Sequence, residues 1–157
     1  MKFAMPRIRQ AILACALACL MAITGCLTGC TGSKPTQKPA DIAREASDYG
    51  GIVLPPKATL LAARSTDNRV IIYQLAISTD PQGLTELLTA SKFTAPLTRT
   101  TYQSEHAIAG PPLQTSPSLV RAYDYYSRPD GKHVNRTIVV DERDSSTRYV
   151  HIQLASN

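Results

Sequence analysis

Cysteine carries the most reactive side chain in this sequence, and all four copies, Cys15, Cys19, Cys26 and Cys30, fall within the first 30 of 157 positions. Two of them close copies of one tetrapeptide, Ile23-Thr24-Gly25-Cys26 and Leu27-Thr28-Gly29-Cys30. The small residues let a protease approach the backbone, and the thiol that follows is a site for covalent acylation. The resemblance these tetrapeptides carry, given below, implies lipidation of a cysteine and removal of the peptide before it. A leucine three places earlier favours Cys30, whereas the apolar run that ends directly at Cys26 favours that residue; Cys30 is the expected site and Cys26 the alternative. Cys15 and Cys19 sit inside the apolar run as small hydrophobes. The C-x-x-x-C spacing has no further cysteine downstream to complete a metal site, so no metal is expected.

The other reactive side chains are scattered. His106 lies in an irregular segment, His133 follows a Pro-Asp-Gly turn, and His151 alternates with Val150 and Ile152, which places it away from the core; none has the pair spacing of a zinc helix. Neither Gly-x-Ser-x-Gly nor Ser-x-x-Lys occurs, and no catalytic residue or cofactor is assigned. Asp141, Glu142 and Asp144 offer hard oxygen ligands, but Arg143 and Arg148 beside them mark a solvated hairpin turn. Tyrosine is the more suggestive type, since it combines contact area with a polar tip at modest entropy cost. Tyr102, His106 and Tyr126 form the expected recognition surface, with Tyr123 and Tyr125 sharing the opposite strand face from Tyr126.

What must position these groups begins with a leader. Lys2, Arg7 and Arg9 give a positive end, and residues 11–23 are free of charge and proline. As a helix they would reach roughly 20 Å, short of the ~30 Å hydrocarbon core. The polar, glycine-rich continuation makes a poor spanning segment. Positive end, short apolar run and small residues before cysteine are the three regions of a signal peptide, and the paired tetrapeptides resemble a bacterial lipobox. The expected division is a signal peptide at 1–29 (alternatively 1–25), a lipidated cysteine with a flexible tether at 30–50, and a folded domain at 51–157. Without the three leader cations, 14 basic face 12 acidic side chains. A net +2 with no basic run argues against nucleic-acid binding. Since the domain holds no cysteine, it depends on an ordinary core; about 127 residues follow position 30, enough to bury roughly two-thirds of the unfolded surface.

Residues 31–39 are polar and proline-rich, a tether. Residues 40–48 are compatible with a short helix stopped by Tyr49-Gly50-Gly51, or with none. Residues 59–65 and 70–78 read as a hairpin turning through 66–69, with Ile71, Tyr73, Leu75 and Ile77 on one face. Asp80-Pro81 is a helix start, and Leu84, Leu87 and Leu88 give that helix an apolar stripe ending near Ser91 or Lys92. Residues 98–117 are irregular. Strands follow at 118–126, 134–141 and 148–154, joined by turns at 128–132 and 142–146. The order β-β-α-β-β-β predicts an α+β domain with an antiparallel sheet of about five strands and one main helix on a face.

The Leu54-Pro55-Pro56 opening, the hairpin, the capped helix and the terminal hairpin with its acidic Ile138-Val139-Val140-Asp141-Glu142 turn resemble a loosely defined set of small, uncharacterised bacterial lipoproteins. That resemblance covers most of 52–154 and implies architecture without an activity. The functional expectation is a palmitate-type lipoprotein held on the cell membrane or outer membrane, facing the periplasm or cell exterior, with an envelope protein as partner and no catalysis. The alternatives are an immunity-type inhibitor of an envelope hydrolase, and a small hydrolase around His106 or His133.

Overall fold

The computed structural model describes residues 37–67, 69–101 and 107–156. Its folded unit spans Gln37–Asn157. In chain order it contains α1 (Pro39–Gly50), β1 (Thr59–Asp67), β2 (Ile71–Thr79), α2 (Pro81–Ala90), β3 (Thr98–Arg99), a 3-10 turn (Leu113–Thr115), β4 (Leu119–Ser127), β5 (His133–Asp141) and β6 (Arg148–Ser156). The strands form one antiparallel sheet in the order β1-β2-β6-β5-β4-β3. It therefore has six strands, against the five expected. The sixth, β3, is two residues long within the segment read as irregular, too short to show any alternation.

Segment 40–48 is helical and lengthens to Pro39–Gly50, with Pro39 at its first turn and Gly51 closing it in the left-handed region at φ 62. Ala43 and Ala46 are buried against the sheet, so α1 belongs to the folded unit and the domain begins well before position 51. The α2 start follows the expected chemistry: the Asp80 carboxylate accepts from the Gly83 amide at 2.6 Å, and Pro81 occupies the first turn.

Both helices lie on one sheet face, and the core sits between. Leu84 and Leu87 of α2 meet Leu75 and Ile77 of β2, Val150, Ile152 and Leu154 of β6, and Val134, Ile138 and Val140 of β5. Each of these side chains contributes roughly 1.5–3 kcal/mol by leaving water. Two-residue alternation places the inward set at even positions of β4, β5 and β6 and at odd positions of β2. The opposite sheet face is covered at one end, where Leu113 packs with Leu119 and Val139. Among the described residues no helix is long and apolar enough to cross a membrane.

Candidate functional site

Cys26, Cys30, Tyr102 and His106 lie outside the described residues. Tyr126 is on the helix side of β4 and half-buried: its ring lies against Gly51, and the Arg136 guanidinium carbon sits 5.3 Å from the ring centroid. The exposed rings of this strand are Tyr123 and Tyr125, 41% and 59% accessible, on the other face.

What holds Tyr126 inward is a buried ion pair that patterning alone does not single out. Arg136, at an inward position of β5, is 1% exposed; Asp124, its register partner on β4, is 5% exposed. Arg136 Nε donates to Asp124 Oδ1 at 2.8 Å and Nη2 to Oδ2 at 2.7 Å. Its remaining donors reach the Gly50 and Ser91 carbonyls through Nη1 and the Lys92 carbonyl through Nη2. All five guanidinium N–H groups are thus used, and the charge sits where two helices end and leave carbonyls without intrahelical partners. Phe93 covers the plane, its ring centroid 4.1 Å from Cζ. Asp124 Oδ2 also accepts from the Thr94 amide and hydroxyl, which keeps the chain leaving α2 on the helix side of the sheet. The available signal was two opposite charges at inward positions of adjacent predicted strands.

The two described histidines are separated: His151 pairs with Val139, six residues along β5 from His133. His133 is exposed at one end of β5, its Nδ1 3.2 Å from Ser127 Oγ. His151 shares a register row with Val139, and it lies on the sheet face opposite Val150 and Ile152 as the alternation predicts. It is nevertheless 1% exposed, because the segment around Gly110 lies over it and over Tyr149 and Leu61.

The three carboxylates of the last turn have separate structural partners. Asp141 accepts from Ser116 Oγ and from Nε and Nη2 of Arg143, whose Nη2 also donates to the Pro112 carbonyl. Those bonds fasten the 3-10 segment over the end of the sheet. Glu142 accepts from Ser118 Oγ and lies 3.7 Å from Arg148. Asp144 Oδ1 accepts from the Thr147 and Ser146 amides and the Ser146 hydroxyl, and these bonds hold its carboxyl below the ordinary 3.8.

The remaining part of the outer sheet face is polar and aromatic, with Arg64, Tyr123 and Tyr125 exposed and Gln74 and Thr137 buried between them. A register row runs Arg64, Gln74, Gln153, Thr137, Tyr123 across β1, β2, β6, β5 and β4. Arg64 Nε donates to Gln74 Oε1 at 2.5 Å, Gln74 Nε2 to Gln153 Oε1 at 3.2 Å, and Tyr123 Oη to Asn135 Oδ1 at 3.1 Å. Tyr123 and Tyr125 meet edge to face with centroids 5.2 Å apart. Hydrogen bonding to Tyr125, and secondarily burial, raises the Tyr123 phenol above 10.0. Along β4 an open groove of about 580 Å³ is lined by Ala95, Pro96, Thr98, Arg121, Ala122 and Tyr123. Such a surface suits recognition: rigid rings supply area, and pre-placed amides supply directional bonds.

Compared with known proteins, the chain matches no family model, no curated protein and no solved structure.

Proposed function

We propose that this chain is an envelope lipoprotein, anchored through an acylated cysteine, whose α+β domain offers its outer sheet face to another envelope component without turning over a substrate. The observation that carries the reading is the doubled Thr-Gly-Cys at the end of a charge-free run preceded by Lys2, Arg7 and Arg9. Supporting the recognition role are the exposed Tyr123 and Tyr125 rings and the half-exposed Asn135 and Gln153 amides on the same face.

Metabolic labelling with a fatty acid tests the anchor. Label is expected on the wild type and on Cys26→Ser, and is expected to be lost from Cys30→Ser and from the double change. Full labelling of the double change would refute acylation at either thiol; full labelling of Cys30→Ser alone would move the site to Cys26. The recognition face is tested by Asn135→Lys with Gln153→Lys, which sets two charges on half-exposed positions of the face. Envelope proteins recovered with the wild-type chain are expected to be lost from this variant while its circular dichroism is unchanged. An identical set of recovered proteins would remove the face from the proposal.

A further inference from the structure

The two outer strands of the sheet treat their edges differently. On β1 the pairing is broken by an irregularity between Leu60 and Ala62, and Arg64 and Asp67 are exposed. Bulges and charges are how edge strands resist pairing with another chain. On β4 the register with β5 runs unbroken from Leu119 to Ser127, while β3 covers only Val120 and Arg121 on the other side. Among the described residues, 123–127 have no strand on that side.

The reason β3 stops is local. Pro96 has no N–H to donate, and the Thr94 amide is committed to Asp124 Oδ2 at 3.0 Å, so the chain before Thr98 leaves the ladder toward the helices. The bond from the Thr100 amide to the Leu119 carbonyl shows that odd-numbered β4 residues direct their backbone groups away from β5. Tyr123, Tyr125 and Ser127 thus present N–H and C=O groups along the open edge, with their side chains on the outer face.

The geometry points to a second copy of this chain as what completes that edge. β4 of one molecule pairs antiparallel with β4 of another about a twofold axis at Tyr125, joining two six-stranded sheets into one continuous sheet. In this register Tyr125 meets its own copy, and Tyr123 meets Ser127 of the partner subunit. A twofold contact needs a patch complementary to itself, and an antiparallel edge whose open segment is centred on one outward-directed residue has that property. Each directly opposed pair exchanges two backbone hydrogen bonds, about six in all. No like charges come into direct opposition, which would oppose pairing: the odd side chains are neutral, and the Asp124 carboxylate is already neutralised by Arg136. Tyr123 also lies diagonal to the partner's Tyr125, within reach of an aromatic contact. The inference goes beyond the proposed role, because it concerns the edge of the sheet and is independent of what binds the face.

Cysteine cross-linking of the full-length chain in membranes tests it. Opposed residues of a hydrogen-bonded antiparallel pair have Cα atoms about 5.5 Å apart, inside the span of a disulfide. Tyr125→Cys is expected to give an oxidised dimer well above the wild-type background. Tyr123→Cys alone is expected to remain at background, since its copy is displaced by four residues, roughly 14 Å. Co-expressed Tyr123→Cys and Ser127→Cys are expected to cross-link. Background-level Tyr125→Cys dimer in folded protein, equal cross-linking of Tyr123→Cys alone, or cross-linking only to a different polypeptide would each overturn the pairing. Sedimentation of the wild-type chain in detergent gives an answer free of substitutions: a concentration-dependent dimer supports the pairing, and a monomer at the highest attainable concentration overturns it.

Discussion

Arg136→Ala is expected to cost the domain about 3–5 kcal/mol of unfolding free energy, the range for removing one partner of a buried pair. Against a typical margin of about 5–15 kcal/mol this leaves a barely folded protein, read as a large fall in the urea midpoint. The cost has two sources. Asp124 is left buried without its cation, with Thr94 its remaining partner among the described residues, and the Gly50, Ser91 and Lys92 carbonyls lose the donor that ends both helices. A second variant separates them. Replacing an ordinary buried pair with apolar residues is often neutral, but Arg136→Met with Asp124→Leu is expected to recover only part of the loss here, because the three carbonyls remain unserved. Wild-type stability in that double variant would show that the helix ends do not depend on the guanidinium.

Gly51→Ala carries the second large effect, expected at about 2–5 kcal/mol. Gly51 ends α1 at φ 62, where an L residue loses roughly 1–2 kcal/mol. A β-carbon there would also lie 2.5–2.9 Å from three carbons of the Tyr126 ring. That ring is packed over Arg136 and cannot retreat without disturbing the pair, so the usual overpacking cost of about 1–3 kcal/mol applies. Thermal unfolding of Gly51→Ala beside Gly51→Ala/Tyr126→Leu checks the argument. If the clash contributes, the destabilisation caused by Gly51→Ala is expected to shrink in the Tyr126→Leu background; an unchanged effect would assign the whole cost to the backbone.

Much of the fold was legible because its signals are local. Asp80-Pro81 caps α2 through contacts within four residues, the Arg128–Lys132 turn closes on itself through the Gly131 amide, and alternation correctly sorted Val150, Ile152 and Leu154 from His151. The failures share a different cause. Strand β3 exists only because β4 lies beside two of its residues. Helix α1 has few apolar residues, and its place in the domain comes from the sheet against which Ala43 and Ala46 pack. Tyr126 was expected on a recognition surface, yet an inward strand position is set by what lies across the sheet, and there the chain places Arg136.

Features encoded by neighbours along the chain are readable from the residues alone: paired Thr-Gly-Cys after a charge-free run, no cysteine beyond position 30, the helix cap, the turns and the face each strand residue takes. Three features emerge from the folded chain: α1 joins the core, Arg136 unites two helix ends with Asp124, and among the described residues no strand pairs the outer edge of β4 at Tyr123 and Tyr125. The physical reason is that burial, charge compensation and edge exposure are properties of residues brought together across the fold. Arg136 lies 86 positions from Gly50 and 45 from Ser91, distances over which no local pattern carries information.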